Sequence, residues 1–160
     1  MNVLLLDRDG VLNEERGYLF KPDGIALLPG VIDGLRRFKG WRLFVVSNQS
    51  AIGRGMCTTA DVDATNARVA ELLKEHGVII EDVVYCPHTP EDGCDCRKPA
   101  IGQWKILRER YGLDARSCAM VGNRDSDMQF ARAIGSLAVR VEDPRHPMAV
   151  RPDLCVRSLD

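Results

Sequence analysis

Two aspartates separated by one residue stand near the start of the chain, in the segment Asp7-Arg8-Asp9-Gly10. In an extended segment, residues i and i+2 point to the same side, so both carboxylates can face one ligand. Neighbouring carboxylates repel each other, and a divalent cation that prefers oxygen ligands, such as Mg²⁺, relieves that repulsion. One carboxylate could then act as a nucleophile while the other carries a proton. The alternatives are a solvated turn and a calcium loop, and Val11 disfavours the latter because it offers no side-chain oxygen.

A second group of reactive side chains lies in Cys86-Pro87-His88 and, five residues later, in Cys94-Asp95-Cys96. Three thiolates and one imidazole within eleven positions match a closed tetrahedral Zn²⁺ site with no open position for catalysis. The loop has few apolar residues, so metal binding would order it. Disulfides and unliganded thiols are the alternatives. The favoured prediction is a structural Zn²⁺ bound by Cys86, His88, Cys94 and Cys96.

Short apolar runs alternate with helix-like segments, as in proteins with a parallel sheet. The predicted strands cover residues 3–6, 43–46, part of 78–85, 119–121 and 137–141. The predicted helices cover residues 29–39, 58–75, 101–111 and 127–134. Right-handed crossovers between such strands give an α/β fold, a doubly wound parallel sheet covered on both faces. The proline-rich residues after Asp143 are expected to be peripheral.

Polar side chains follow four of the predicted strands where each strand ends: Asp7 and Asp9, Ser47 and Asn48, Cys86 and His88, and Asn123 and Asp127. Ligands of open α/β sheets bind beyond the carboxyl ends of the strands. The sequence therefore predicts that all four groups converge on one edge of the sheet.

The overall composition excludes several classes of protein. The 160 residues carry 22 Lys and Arg against 23 Asp and Glu, for a net charge of −1, which provides no field for binding nucleic acid. Hydrophobic residues make up 45%, which excludes intrinsic disorder. No apolar run reaches the roughly 18 residues of a membrane span, and the first residues do not resemble a signal peptide. We expect one monomeric, cytoplasmic domain spanning residues 1–160.

Four segments in this order resemble the motifs of haloacid-dehalogenase-superfamily phosphatases: Asp7-Arg8-Asp9-Gly10-Val11-Leu12-Asn13, Ser47-Asn48-Gln49-Ser50, Arg97-Lys98-Pro99 and Gly122-Asn123-Arg124-Asp125-Ser126-Asp127. The resemblance extends from Asp7 to Asp127, most of the chain. It implies a Rossmann-like fold of the haloacid dehalogenase type, with a short zinc-bound loop and no large cap domain. A Cys-x-His…Cys-x-Cys loop just before Arg-Lys-Pro is similar to that of two subgroups, the heptose-bisphosphate phosphatases and the histidinol-phosphate phosphatases.

The resemblance also implies roles for individual residues. Asp7 would take the phosphoryl group as an aspartyl-phosphate, and Asp9 would protonate the leaving alkoxide and then activate water. Lys98 would place a positive charge beside the phosphoryl group, which the Ser47 hydroxyl and the Asn48 backbone N–H would also bind. Mg²⁺ would be held by Asp7, by the Asp9 backbone carbonyl and at Asn123, with Asp127 in an outer shell.

By the same resemblance, the substrate is a small phosphorylated molecule. The residues expected to bind it are Glu15, Arg16, Gly17, Tyr18, Ser47, Asn48, Gln49, Ser50, Arg54, Arg97 and Arg124. The three arginines Arg54, Arg97 and Arg124 could hold a second, non-reacting phosphate by bidentate hydrogen bonds. This possibility favours D-glycero-D-manno-heptose 1,7-bisphosphate. Histidinol phosphate is the alternative, because Glu14 or Glu15 could bind its amine.

Asn123 departs from the pattern of the family, which usually has a metal-binding Asp at this position. An Asn offers only a neutral carbonyl oxygen, so we expect weaker binding of Mg²⁺. This departure supports an alternative of another class, in which the chain is a phosphate-binding protein with weakened catalysis.

Overall fold

The computed structural model describes residues 2–159. In this range, six strands form a single parallel sheet: β1 (Val3–Leu6), β2 (Arg42–Asn48), β3 (Asp82–Cys86), β4 (Cys118–Gly122), β5 (Leu137–Val141) and β6 (Leu154–Val156). The strands lie in the order β3-β2-β1-β4-β5-β6. The order reverses at β1, and ligand sites of doubly wound sheets lie at such a reversal.

Four α-helices connect the strands: α1 (Val31–Arg36), α2 (Thr59–Lys74), α3 (Gly102–Tyr111) and α4 (Asp125–Ile134). Short 3₁₀ helices span Pro22–Gly24, Pro90–Asp92 and Ala115–Ser117. A capping box begins α2, because the Asp61 N–H donates to Thr58 Oγ1 and the Thr58 N–H donates to Asp61. Helix α1 begins later than predicted because Gly30, with a φ of 79°, is left-handed and delays the helix to Val31; it also ends earlier, at Arg36, where the chain continues as a turn. No helix in residues 2–159 is long and apolar enough to cross a membrane.

The sheet is buried on both faces because alternate residues of each central strand point into two separate cores. Val3 and Leu5 of β1 pack in one core with α3 and α4. Leu4 and Leu6 pack in the other core with α1 and α2. A strand buried on both sides reads as a continuous apolar run, which is why the pattern of the sequence identified it. The predicted doubly wound parallel sheet is confirmed.

The segment after Asp143, predicted to be peripheral, contains a strand that was not predicted, because β6 adds a sixth strand at the edge of the sheet by pairing with β5. The Asp125 carboxylate anchors the segment before β6 by accepting the backbone N–H groups of Ala149 at 3.0 Å and Val150 at 3.1 Å. The strand was missed because it has only three residues, all partly or fully exposed, and no continuous buried run.

Candidate active site

A cleft of about 370 Å³ opens at the carboxyl ends of the central strands. Its lining consists of Asp7, Asp9, Glu15, Gly17, Tyr18, Leu19, Ser47, Asn48, Gln49, Ser50, Arg54, Arg97, Lys98, Arg124, Ser126 and Asp127. Most of the residues predicted from the sequence therefore meet here, and Leu19 and Ser126 are additions. Arg16 is outside the lining, and its guanidinium Nε donates to Glu14 at 2.8 Å. Asn123 is buried beside the cleft instead of lining it.

The floor of the cleft holds a buried lysine between two carboxylates. Lys98 Nζ lies 3.0 Å from Asp7 Oδ1 and 2.7 Å from Asp127 Oδ1, and it donates to the Val46 carbonyl at 2.7 Å. Burial favours the neutral amine, but Asp127 and Asp7 outweigh it and hold the pKa of Lys98 above its usual value. Burial raises the pKa of Asp7 to about 6, with Lys98 opposing the rise and the Asp127 and Asp9 carboxylates adding to it. One ammonium therefore leaves the floor with excess negative charge, which suits a cation.

Asp9 is fixed by three side chains. Arg8 contacts both of its carboxylate oxygens, with Nε at 3.1 Å and Nη2 at 2.9 Å, and Asn13 Nδ2 donates at 2.9 Å. Gln49 Nε2 donates to Asp9 at 3.0 Å and also to Ser47 Oγ at 2.8 Å. Because the Ser47 hydroxyl accepts the bond from Gln49, its own proton remains available to a ligand.

Arg8 is a site residue that the sequence reasoning did not assign. Its side chain is 1% exposed and also donates to Asn66 Oδ1 at 2.8 Å and to the Leu19 carbonyl at 3.0 Å. The signal was present, because a residue between two aspartates that face the cleft must point to the opposite, buried side. A buried arginine there requires partners, and Asp9 is the acidic residue next to it in the sequence.

The backbone of Lys98 is held by the Asn48 side chain. The Lys98 N–H donates to Asn48 Oδ1 at 3.0 Å, and Asn48 Nδ2 donates to the Lys98 carbonyl at 3.1 Å. Gln103, which the sequence did not suggest, also donates to Asn48 Oδ1, at 3.3 Å. The amide of Asn48 is therefore committed to positioning Lys98, which leaves its backbone as its contribution to the binding of a phosphate.

The four predicted zinc ligands lie together at the end of β3 and on the loop that follows it. The Sγ atom of Cys86 lies 3.5 Å from that of Cys94 and 3.1 Å from that of Cys96, and His88 Nδ1 is 3.2 Å from Cys96 Sγ. The cysteines are free thiols, so the disulfide alternative is not realised. Burial opposes ionisation of Cys94, but hydrogen bonds from the Arg97 backbone and the neighbouring thiols outweigh it and lower its pKa to about 7. Three thiols and one imidazole nitrogen within 4.8 Å of one another fit a tetrahedral ion.

This cysteine loop packs closely on two glycines. The Gly53 N–H donates to the Pro87 carbonyl at 2.9 Å, and a Cβ at Gly53 would lie 2.8 Å from that oxygen. The Gly102 N–H donates to the Asp95 carbonyl at 2.8 Å. The loop is thus fixed between the residues after β2 and the start of α3, and Lys98 follows it directly.

The arginines of the cleft differ in their surroundings. Arg124 pairs with Glu15, and Arg97 Nη1 donates to the His88 carbonyl at 3.2 Å. Arg54 is exposed at the mouth of the cleft. Glu15 also accepts from His146 Nε2 at 3.0 Å, so it is surrounded by positive or donor groups. Glu15 therefore neutralises part of the charge that Arg124 brings to the cleft.

Asn123 is fully buried, and its amide Nδ2 donates to Asp143 Oδ2 at 3.0 Å and to Glu15 Oε2 at 3.3 Å. Its Oδ1 atom has no hydrogen-bond partner among the described residues. The Arg145 side chain, opposed by partial burial, holds the pKa of Asp143 below its usual range. Neither Asp143 nor His146 was assigned from the sequence, although Asp143 follows β5, the parallel neighbour of the strand that ends before Asn123. An unpartnered buried oxygen beside excess negative charge fits a hard divalent cation such as Mg²⁺.

Comparisons with known proteins agree with this arrangement. The model of the haloacid dehalogenase-like hydrolase family matches residues 2–135. A D-glycero-beta-D-manno-heptose-1,7-bisphosphate 7-phosphatase of Pseudomonas aeruginosa is 40% identical over 144 residues, covering 88% of this chain and 81% of that protein. A probable 7-phosphatase of the corresponding heptose bisphosphate from Thermoplasma volcanium is 39% identical over 137 residues, covering 84% of this chain and 94% of that protein.

Solved structures give the same result. The D,D-heptose 1,7-bisphosphate phosphatase of B. bronchiseptica, solved in complex with magnesium and phosphate, superposes with a TM-score of 0.86 at 30% identity, covering 99% of this chain and 94% of that one. A putative phosphatase of the same superfamily from Mesorhizobium loti superposes with a TM-score of 0.83 at 31% identity, covering 99% and 80% of the two chains. These matches confirm the resemblance carried by the four motifs, and the chain belongs to the haloacid dehalogenase-like hydrolases.

Proposed function

We propose that this chain is a Mg²⁺-dependent phosphatase that hydrolyses D-glycero-D-manno-heptose 1,7-bisphosphate through an aspartyl-phosphate on Asp7. The observation that carries the proposal is the buried contact between Asp7 and Lys98 at the floor of a cleft whose rim carries three arginines. The names of the relatives in Pseudomonas aeruginosa and Thermoplasma volcanium support the same substrate.

In the first step, a carboxylate oxygen of Asp7 attacks phosphorus, the bond from phosphorus to the ester oxygen breaks, and Asp9 gives its proton to the leaving alkoxide. Lys98 keeps Asp7 oriented and compensates charge on the transferred group. In the second step, Asp9 takes a proton from water as the water oxygen attacks the aspartyl-phosphate. Inorganic phosphate leaves and the carboxylate of Asp7 is restored.

The metal site of the proposal uses the carboxylate of Asp7, the backbone carbonyl of Asp9 and Oδ1 of Asn123. A bound Mg²⁺ supplies positive charge to Asp7 and to the phosphoryl oxygens. Asp127, whose Oδ1 already contacts Lys98, would act from outside the first layer of ligands. The neutral Asn123 still offers the kind of oxygen that Mg²⁺ accepts, so we favour an active enzyme over the phosphate-binding protein.

The proposed zinc ion sits at Cys86, His88, Cys94 and Cys96, apart from the cleft. Its role is structural, since Zn²⁺ with four protein ligands has no free position for a substrate. The chain reaches Lys98 two residues after the last ligand, so ordering the loop also orders the start of the segment that carries this lysine.

The surroundings of the acidic residues favour a sugar bisphosphate over histidinol phosphate. A substrate with an amine needs an available carboxylate, but Glu14 is paired with Arg16. Glu15 is paired with Arg124 and contacts His146. A second phosphate would instead meet the exposed Arg54 at the rim of the cleft, whose guanidinium can hold it by bidentate hydrogen bonds.

One experiment tests the reaction and the substrate together. Phosphate release is measured with Mg²⁺ on the heptose 1,7-bisphosphate, on histidinol phosphate and on an aryl phosphate. The proposal expects the highest kcat/KM for the heptose bisphosphate. A preference for histidinol phosphate would overturn the assigned substrate, and binding of all three without release would establish the phosphate-binding alternative.

We further propose that the enzyme is monomeric and works in the cytoplasm. The free state of the six cysteines agrees with a reducing compartment, in which zinc, not disulfides, occupies such a loop. The near-neutral net charge of −1 agrees with a small-molecule substrate and with no nucleic-acid partner. Light scattering during size-exclusion chromatography would test the monomer, and a dimer would require a search for residues shared between subunits.

A further inference from the structure

The amide of Asn123 has one orientation that satisfies its surroundings. With Nδ2 facing Asp143 Oδ2 at 3.0 Å and Glu15 Oε2 at 3.3 Å, both amide protons have acceptors. The reversed amide would place Oδ1 against two carboxylates. Asp143 and Glu15 therefore force Oδ1 into the position where it lacks a protein partner.

Gly10 provides the space for this arrangement. A Cβ at Gly10 would lie 2.2 Å from Asn123 Nδ2 and 3.2 Å from Glu15 Oε2, so a side chain there would displace the amide. Gly10 also has a φ of 79°, which glycine adopts without strain. The glycine that ends the segment Asp7-Arg8-Asp9-Gly10 thus packs directly against the group that the two carboxylates orient.

Asp143 is itself held firmly. Arg145 donates to its two carboxylate oxygens, with Nε at 2.9 Å and Nη2 at 2.7 Å, and the Arg145 backbone N–H donates at 3.0 Å. The Asp143 side chain is only 6% exposed, so few of its contacts are to solvent. The Asp143 oxygen that faces Asn123 therefore has a fixed position. A residue that orients a metal ligand must itself be held in place in this way.

We propose that Asp143 is a positioning residue for the metal, and that it carries, behind Asn123, the negative charge that the family usually places on the metal-binding residue itself. The inference rests on the magnesium site of the proposed function. It predicts that Asn123→Asp does not tighten metal binding, because the new carboxylate oxygen would lie about 3 Å from the carboxylate of Asp143. Exchanging the two residues, by contrast, would keep one amide, one carboxylate and the hydrogen bond between them.

The test measures direct binding of Mn²⁺, as a spectroscopic substitute for Mg²⁺, to the full chain by paramagnetic resonance and calorimetry. Asp143→Asn should weaken the binding about tenfold, as removal of such a supporting group typically does. Asn123→Asp alone should bind no more tightly than the wild type. The exchange variant Asn123→Asp with Asp143→Asn should bind at least as tightly as the wild type. Arg145→Gln removes the guanidinium that holds Asp143 but keeps the Asp143 carboxylate beside Asn123, so it should weaken the binding less than Asp143→Asn does.

Four results would overturn the inference. They are an unchanged affinity in Asp143→Asn, tighter binding by Asn123→Asp alone, failure of the exchange variant to recover, and equal losses in Arg145→Gln and Asp143→Asn. Equal losses would mean that Asp143 only anchors its loop. A wild-type chain that binds no Mn²⁺ would instead overturn the magnesium site, and with it the inference. Thermal melting of each variant distinguishes lost binding from lost folding.

Discussion

The cleft has a floor and a rim that are built in different ways. On the floor, the side chains of Lys98 and Asp127 are 2% and 1% exposed. At the rim, the Arg124 side chain is 49% exposed and Arg54 also faces solvent. Buried groups with several protein partners are held ready for a reaction, whereas exposed arginines are free to adapt to a ligand. The floor should therefore determine kcat, and the rim should determine KM and the choice of substrate.

The largest expected effect comes from Asp7→Asn. An amide cannot attack phosphorus, so turnover should fall below detection while the melting temperature shows that the protein remains folded. Asp23→Asn, at an exposed position away from the cleft, is the matched control and should keep wild-type activity. Hydrolysis by Asp7→Asn at a rate near that of the wild type would contradict the whole mechanism.

Arg8→Lys tests whether the contact between the buried Arg8 and Asp9 contributes to kcat. Lysine keeps the charge but loses the two-pronged contact with the carboxylate, so kcat should fall about one hundredfold while KM changes little. Because Arg8 is buried, Gln49→Leu provides an independent measurement. This variant keeps the pair of Arg8 and Asp9 but breaks the link from Asp9 to Ser47. Unchanged kcat in both variants would show that Asp9 needs no such support.

Cys96→Ser tests the dependence of Lys98 on the cysteine loop. Elemental analysis of the wild type should find one zinc per chain, and the variant should lose it together with roughly tenfold in kcat. Cys155→Ser, in the exposed edge strand, is the control and should retain both. A wild-type protein that lacks zinc under reducing conditions and is fully active would leave the four side chains without a metal.

The effect expected at the rim is confined to KM. Arg54→Ala should raise KM for the heptose bisphosphate about tenfold, the equivalent of losing one hydrogen bond to a charged group worth about 1.5 kcal/mol. An aryl phosphate has no second phosphate, so its KM should change less than about twofold. Equal changes for the two compounds would show that Arg54 does not bind a second phosphate and that the rim does not select the substrate.

The floor could be predicted from the sequence because its residues follow continuous apolar runs. To predict that Asp7 and Ser47 lie close together, it is enough to know that β1 and β2 are parallel neighbours. Lys98 was placed by resemblance and not by pattern, since it follows a loop without periodicity.

Asp143 follows β5, the parallel neighbour of β4, so strand order alone brings it near Asn123. The contact between their side chains could not be predicted, because it depends on the path of the loop after β5. Arg16 was expected to bind substrate, but the turn of its loop directs it to Glu14. Such loop contacts depend on side-chain packing between segments that are distant in the sequence. A local sequence pattern therefore does not predict them.

The anchoring of the final segment by Asp125 has a consequence for where this enzyme can be shortened. The family model ends at residue 135, and a chain cut after Val141 would keep every recognisable motif. It would also leave β5 as a bare sheet edge, which invites edge-to-edge association. It would lack Asp143, the acceptor for the Asn123 amide. We therefore expect the shortest chain that resists such association and keeps the proposed metal site to extend through β6, well beyond the last motif.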